Sequence, residues 1–229
     1  MNLFQRIAAL PRNAATRITY LRWWAKTQSL HPMKRLLDIV VAGSVLVLMS
    51  PIFALIALCI KLHDRGPVLF WQKRVGLDGR EFGFPKFRSM CVNAEEVRKK
   101  LEAQNQHGQA GVTFKMKRDP RITPIGRLIR RTSMDEMPQL WCVLKGDMTL
   151  VGPRPPLPAE VARYSLRDRA RLAVTPGLTC IWQVSGRSNI PFPQQVNMDI
   201  DYIHQRSIKT DIKLLFKTIP AVVLGRGAY

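Results

Sequence analysis

Acidic side chains are scarce in this chain: 16 Asp and Glu stand against 36 Lys and Arg in 229 residues, leaving a formal net charge of +20 and a pI near 10.7. So lopsided a balance implies an anionic partner, whether nucleic acid, an anionic membrane leaflet or a phosphorylated small molecule. Cysteine is sparse as well. Cys59, Cys91, Cys142 and Cys180 are scattered with no Cys-x-x-Cys spacing, which argues for reduced, structural thiols in a reducing compartment. His31, His63, His107 and His204 are equally dispersed, so neither a zinc site nor a histidine-based triad is indicated. There is no Gly-x-Gly-x-x-Gly after a strand, no Walker-type loop, no internal repeat and no low-complexity tract. Ordinary dinucleotide and nucleoside-triphosphate enzymes are thereby disfavoured. No nucleic-acid module is recognisable, and the basic residues are interleaved with Gly-Pro motifs and acids, so nucleic acid is not expected as a partner.

What is present is apolar material, 46% of the residues, and one long hydrophobic run from Leu36 to Ile60. Its length suffices to cross a bilayer core of about 30 Å as a helix. It starts too far from the N-terminus, and runs too long, for a signal peptide. Two observations argue against a simple span. Ser50-Pro51 interrupts the middle, where proline removes a backbone donor and clashes with the preceding turn. Residues 1–35 carry seven basic and no acidic side chains, and residues 61–88 carry seven basic and three acidic, so both flanks favour the cytoplasmic side. A helix-break-helix hairpin entering one leaflet satisfies both, with Ser50 bonding back to a carbonyl one turn earlier; a proline-kinked transmembrane helix is the alternative. Asp38 is placed to pair with Arg35 on the same helix face, as an anchor. Residues 1–30 mix Trp23, Trp24 and aliphatic side chains with arginines, as interfacial amphipathic segments do, and residues 212–219 alternate apolar side chains with lysines.

The chain divides into a basic amphipathic extension (1–32), the interrupted membrane helix (33–61) and a catalytic part (62–229). Within the last, residues 67–76 and 81–88 read as two strands joined by an Asp78-Gly79 turn. Helices are expected over 93–106, 125–131, 136–144, 158–172 and 194–205, with a loop over 106–111. The fold class is α/β and helix-rich, with a small hairpin attached to a membrane anchor.

Asp135 and Glu136 stand side by side in one of the most basic stretches. From Lys117 to Arg131 six cations face one acid, so both carboxylates are expected to be ionised, fit for a nucleophile or a metal ligand. Ser133-Met134-Asp135-Glu136 also matches a capping box, with Ser133 as N-cap and Glu136 at the third helical position. Such a helix end would bind an anion too. Downstream, Gly152-Pro153-Arg154-Pro155-Pro156 holds one guanidinium between prolines, which suits bidentate phosphate binding or a simple linker. Residues 182–189 bring Gln183, Ser185, Arg187 and Asn189 onto a polar loop able to receive a base or sugar, or merely to cap the fold.

Taken in order, Ser50-Pro51, the 85–90 segment Pro-Lys-Phe-Arg-Ser-Met, Asp135-Glu136, Leu144-Lys145-Gly146-Asp147-Met148, Val151-Gly152-Pro153-Arg154-Pro155 and Gln183-Val184-Ser185-Gly186-Arg187 resemble the monotopic phosphoglycosyl transferases, the bacterial sugar transferase family. The likeness runs from Met33 to the C-terminus. It implies a re-entrant helix broken at Ser50-Pro51 and transfer of a sugar phosphate from a UDP-sugar to undecaprenyl phosphate, with UMP released and Mg²⁺ as cofactor. It further implies Asp135 as nucleophile through a phospho-aspartyl intermediate, Glu136 and Asp199 at the metal, and Lys86, Arg88, Arg154 and Arg187 as substrate-binding residues. The location implied is the cytoplasmic face of a bacterial inner membrane, at the head of exopolysaccharide or glycan assembly. Two rivals stay open: direct transfer in a ternary complex with Asp135 as metal ligand only, and a non-catalytic, membrane-tethered basic binding protein. A homo-oligomer is compatible with the sequence, which does not name the sugar.

Overall fold

The computed structural model describes residues 32–101 and 119–223. The amphipathic reading of residues 1–30 and the loop at 106–111 fall outside them. Elements in chain order are α1 (Pro32–Leu48), α2 (Ser50–Asp64), β1 (Leu69–Val75), β2 (Glu81–Phe87), α3 (Ala94–Leu101), α4 (Pro124–Arg131) and a 3₁₀ segment Met134–Gln139. There follow α5 (Leu140–Lys145), β3 (Thr149–Val151), α6 (Pro158–Val161), a second 3₁₀ segment Asp168–Ala173, β4 (Gly177–Thr179), α7 (Ile181–Ser185), α8 (Phe192–Gln205) and α9 (Ile208–Val223).

The apolar run is broken where proline demands it. α1 and α2 meet at 58°. Pro51 occupies the first turn of α2, where its missing N–H costs nothing, and Ser50 Oγ donates to the Val47 carbonyl at 2.8 Å. No single helix among the described residues is long and apolar enough to cross a membrane; the bent pair passes that test only together. Both legs pack on the same body. Ala42 of α1 joins the main core with Phe84, Leu140, Val143, Met148, Leu150 and Tyr202. Ile56 and Ile60 of α2 form a second core with Phe87 and Ile129. β2 therefore supplies one buried phenylalanine to each core, Phe84 to the first and Phe87 to the second, and the bend lets the two legs reach them. Val47, Leu48, Leu55 and Leu62 stay exposed on the outer surface of the pair.

Asp38 does not pair with Arg35. Its carboxylate, 4% exposed, accepts from Thr149 Oγ1 at 2.7 Å and from the Leu150 N–H at 2.9 Å, which fastens α1 to β3. Arg35 instead donates to the Val143 and Leu144 carbonyls at 2.5 Å each, at the C-terminal end of α5, where the helix dipole favours a cation. Lys34 donates to the Val151 carbonyl at 2.9 Å and pairs with Asp211 of α9. The physical reason is burial: three ionised groups entering a protein interior must each find a strong partner.

β1 and β2 form the expected antiparallel hairpin. Asp78 and Gly79 both have positive φ, 54° and 82°, the geometry that suits a tight hairpin turn. A second pair, β3 with β4, is parallel and was not anticipated: each strand is only three residues long. The chain crosses itself there so closely that a Cβ on Gly177 would lie 2.0 Å from the Gly152 nitrogen. Gly152 N–H donates to the Thr179 carbonyl at 3.0 Å and Gly177 N–H to the Pro153 carbonyl at 2.8 Å, so each of the two residues preceding Arg154 is held by a backbone hydrogen bond.

Candidate active site

Beside the hairpin lies a cavity of about 600 Å³. Lys86, Asp135, Glu136, Arg154 and Arg187 all line it, together with Phe70, Gln72, Arg130, Trp182, Gln183 and Gln195. Five residues singled out from sequence thus converge from four separate segments.

The acidic pair is presented by a 3₁₀ segment and not by a capping box. Ser133 adopts φ 54°, a left-handed conformation costly for a residue with a side chain, and its side chain makes no capping bond. Its carbonyl accepts the Glu136 N–H at 3.2 Å. The Glu136 side chain turns away from the helix end, which its two cationic partners outbid. Oε1 accepts from Lys86 Nζ at 2.8 Å and from Arg154 Nη2 at 2.6 Å; Oε2 accepts from Arg154 Nη1 at 3.2 Å. The strand β2, the 3₁₀ segment and the Pro153–Pro155 loop are thereby locked to one carboxylate.

Asp135 stands outside this clamp, 9% exposed, and among the described residues its side chain accepts no hydrogen bond. Adjacency in sequence conceals opposite electrostatics. Burial alone would raise Glu136, but Arg154 and then Lys86 outweigh it and hold it well below the usual carboxylate range. Burial, then the negative charge of Glu136, push Asp135 up to about 6, against the pull of Lys86, Arg130 and Arg154. The expectation that the surrounding cations keep both acids ionised is met with a wide margin for Glu136 and a narrow one at neutral pH for Asp135, because Glu136 has already engaged two of those cations.

Arg88 and Asp199 do not line the cavity. Arg88, 7% exposed, pairs with Asp64 and ties the end of α2 to the end of β2. Asp199, 1% exposed, accepts from Arg171 Nε at 2.7 Å; burial raises it to about 6 despite that arginine. Arg171 in turn donates to Tyr164 Oη at 3.0 Å, so this pair braces α8 against the 3₁₀ segment Asp168–Ala173. Arg187, at φ 52°, also lines the cavity. Sequence reasoning missed Phe70 and Gln72; period-two alternation along β1, which puts both on the face of Lys86, was the available signal.

Among the described residues no cluster of three His, Cys, Asp or Glu side chains forms a metal cage. The donor set suits a different arrangement. Mg²⁺ commonly takes one or two carboxylates and completes its shell with substrate phosphate oxygens and water. Asp135, open to the cavity beside Glu136, fits that substrate-bridged form.

A family model described as bacterial sugar transferase matches residues 29–225. The chain is 47% identical over 197 residues to "Galactosyl transferase CpsE" of Streptococcus agalactiae, covering 85% of this chain and 43% of that protein. It is 44% identical over 200 residues to "Undecaprenyl-phosphate galactose phosphotransferase" of Salmonella typhimurium, covering 86% and 42%. With "Exopolysaccharide production protein ExoY" of Rhizobium meliloti it shares 38% identity over 198 residues, covering 86% and 88%. The chain thus spans less than half the length of some curated relatives and most of the length of others.

Proposed function

The chain belongs to the bacterial sugar transferase family, and from that premise we propose that it moves a sugar 1-phosphate from a UDP-sugar to undecaprenyl phosphate, releasing UMP, through a phospho-aspartyl intermediate on Asp135. One observation carries the reading: a carboxylate without a hydrogen-bond partner among the described residues lines a 600 Å³ cavity beside a carboxylate clamped by two cations. Relatives named for UDP-galactose-lipid carrier transfer and for UDP-glucose:undecaprenyl-phosphate glucose-1-phosphate transfer support the substrate class.

The steps balance without a redox partner. A carboxylate oxygen of ionised Asp135 attacks the phosphorus that bears the sugar; the new O–P bond forms as the bond to the bridging oxygen breaks, and UMP departs with that electron pair. An oxygen of the lipid phosphate then attacks the same phosphorus, and Asp135 leaves as a carboxylate. Lys86 and Arg154 hold Glu136 and keep positive charge beside the reacting phosphoryl group, where positioning and charge neutralisation make up most of the catalysis. Mg²⁺, held by Asp135 or Glu136 and the diphosphate, would offset the repulsion between an anionic nucleophile and an anionic substrate. Arg187, a further cation lining the cavity, is suited to the nucleotide. The bent helix pair, with its apolar outer surface, would rest in the cytoplasmic leaflet and bring the cavity to the level of the lipid phosphate. The product would begin exopolysaccharide or related glycan assembly.

Radiolabelled UDP-sugar supplied without lipid acceptor tests the reading. Stoichiometric UMP release with label retained on the protein, abolished by Asp135→Asn, is the expected result. UMP release strictly dependent on undecaprenyl phosphate would instead establish direct transfer in a ternary complex.

A further inference from the structure

β1 carries a second polar device beside the clamp. In the hairpin register Phe70 is opposite Lys86 and Gln72 opposite Phe84, so Phe70, Gln72 and Lys86 share one face, and all three line the cavity. Arg74, next on that face, sits 5.1 Å over the Phe84 ring. Its guanidinium donates to Gln72 Oε1 twice, from Nη2 at 2.7 Å and Nε at 3.1 Å, while Nη1 donates to the Pro155 carbonyl at 3.0 Å. An arginine can only donate, so the carboxamide oxygen of Gln72 must face it. That settles the amide orientation and saturates the oxygen. The remaining polar atom, Nε2 with two N–H groups, has no hydrogen-bond partner among the described residues and belongs to a cavity-lining side chain.

We propose that Gln72 is a substrate-contacting donor, hydrogen-bonding an acceptor oxygen on the phosphosugar half of the nucleotide sugar, and that Arg74 is its positioning residue. The inference rests on the transferase reading above. Placement selects the phosphosugar half: Gln72 lies beside the strand position of Lys86, whose Nζ holds the carboxylate next to Asp135. Chemistry selects an amide. Lys86, Arg74 and Arg154 already crowd this end with positive charge, and a neutral donor adds a hydrogen bond without adding a cation. The contact between Arg74 and the Pro155 carbonyl links the same device to the loop that carries Arg154.

Gln72→Glu separates this role from a structural one. A carboxylate at position 72 keeps, and strengthens, the bond to Arg74, but it offers the substrate an acceptor where a donor was needed. Single-turnover UMP release by the full chain in detergent, measured without lipid acceptor on a panel of UDP-hexoses, is the readout, alongside thermal unfolding. Gln72→Ala is expected to slow release about tenfold to a hundredfold, and Gln72→Glu more than Gln72→Ala, with a melting temperature at or above wild type. Loss of equal size on every sugar puts the acceptor on the phosphoryl group; loss confined to one epimer puts it on a sugar hydroxyl. Gln72→Glu working at the wild-type rate, or slowing only in proportion to lost folded protein, overturns the proposal while the transferase reading stands. A wild type that releases no UMP from any of the sugars, with or without undecaprenyl phosphate, overturns both.

Discussion

Asp135 and Glu136 are neighbours along the backbone and shift in opposite directions, one carboxyl raised and the other held low, and the contrast has measurable consequences. Because Asp135 is raised to about 6 from an ordinary value of 3.8, the folded state prefers its protonated form. Its contribution to stability is full below 3.8 and is lost as pH rises through about 6. At pH 8 the buried charge costs on the order of 1–3 kcal/mol, so Asp135→Asn should unfold at a higher temperature than wild type at pH 8 while being inactive. The advantage should shrink below pH 6 and vanish near pH 4. A variant less stable than wild type at pH 8 would contradict the burial argument. The acid limb of UMP release in wild type should fall near pH 6, since in the proposed mechanism only ionised Asp135 attacks. Glu136→Gln removes the second cause of that elevation, so its limb should move to lower pH even as the maximal rate drops about a hundredfold or more with the loss of the clamp. A limb that stays in place would show that Glu136 does not act on Asp135 through charge.

Elements obey the same accounting of buried polar groups. Asp38 joins α1 to β3 through two hydrogen bonds to a carboxylate that is 4% exposed. Asp38→Ala would strand the Leu150 N–H and the Thr149 hydroxyl, at a cost of about 2–4 kcal/mol, and thermal unfolding in detergent should show it; an unchanged melting temperature would mean that water replaces the carboxylate. The sequence disclosed the hairpin, the Ser50-Pro51 bend and most of α4 and α8, because each is set by local signals: two positive-φ turn residues, a proline, periodic apolar positions. Of the cavity-lining residues, Asp135, Glu136, Arg154 and Arg187 stood out by local charge, proline and loop patterns, whereas Lys86 came only from the resemblance of motif order to a family. What stayed hidden is what depends on distant partners. Nothing near Asp38 in the chain points to Thr149, nothing near Asp199 to Arg171, and β3 and β4 are three residues each, too short for alternation to register. Ser133-Met134-Asp135-Glu136 misled because a capping box assumes that glutamate has no better partner than a backbone N–H.

At the scale of the whole molecule two kinds of positive charge coexist, and ionic strength can tell them apart. The net charge of +20 is spread over many exposed side chains and would attract the proposed anionic donor and an anionic leaflet from a distance, an effect that salt screens over about 10 Å at 0.1 M. Lys86 and Arg154 are 21% and 20% exposed at the side chain and bonded directly to Glu136, so added salt reaches them poorly. Raising the salt from about 0.05 to about 0.5 M should therefore lower kcat/KM for the UDP-sugar severalfold and leave the single-turnover rate at saturating donor nearly unchanged. Membrane association divides along the same line. In the proposed membrane-bound state, exposed apolar side chains on both legs of the bent pair, among them Val47, Leu48 and Leu55, would hold by hydrophobic burial and not by charge. Vesicle-bound chain should stay bound in high salt and come off only with detergent. Release by salt alone would reduce the bent pair to a surface feature and the basic surface to the true anchor, and would remove the argument that the cavity is held at the depth of the lipid phosphate.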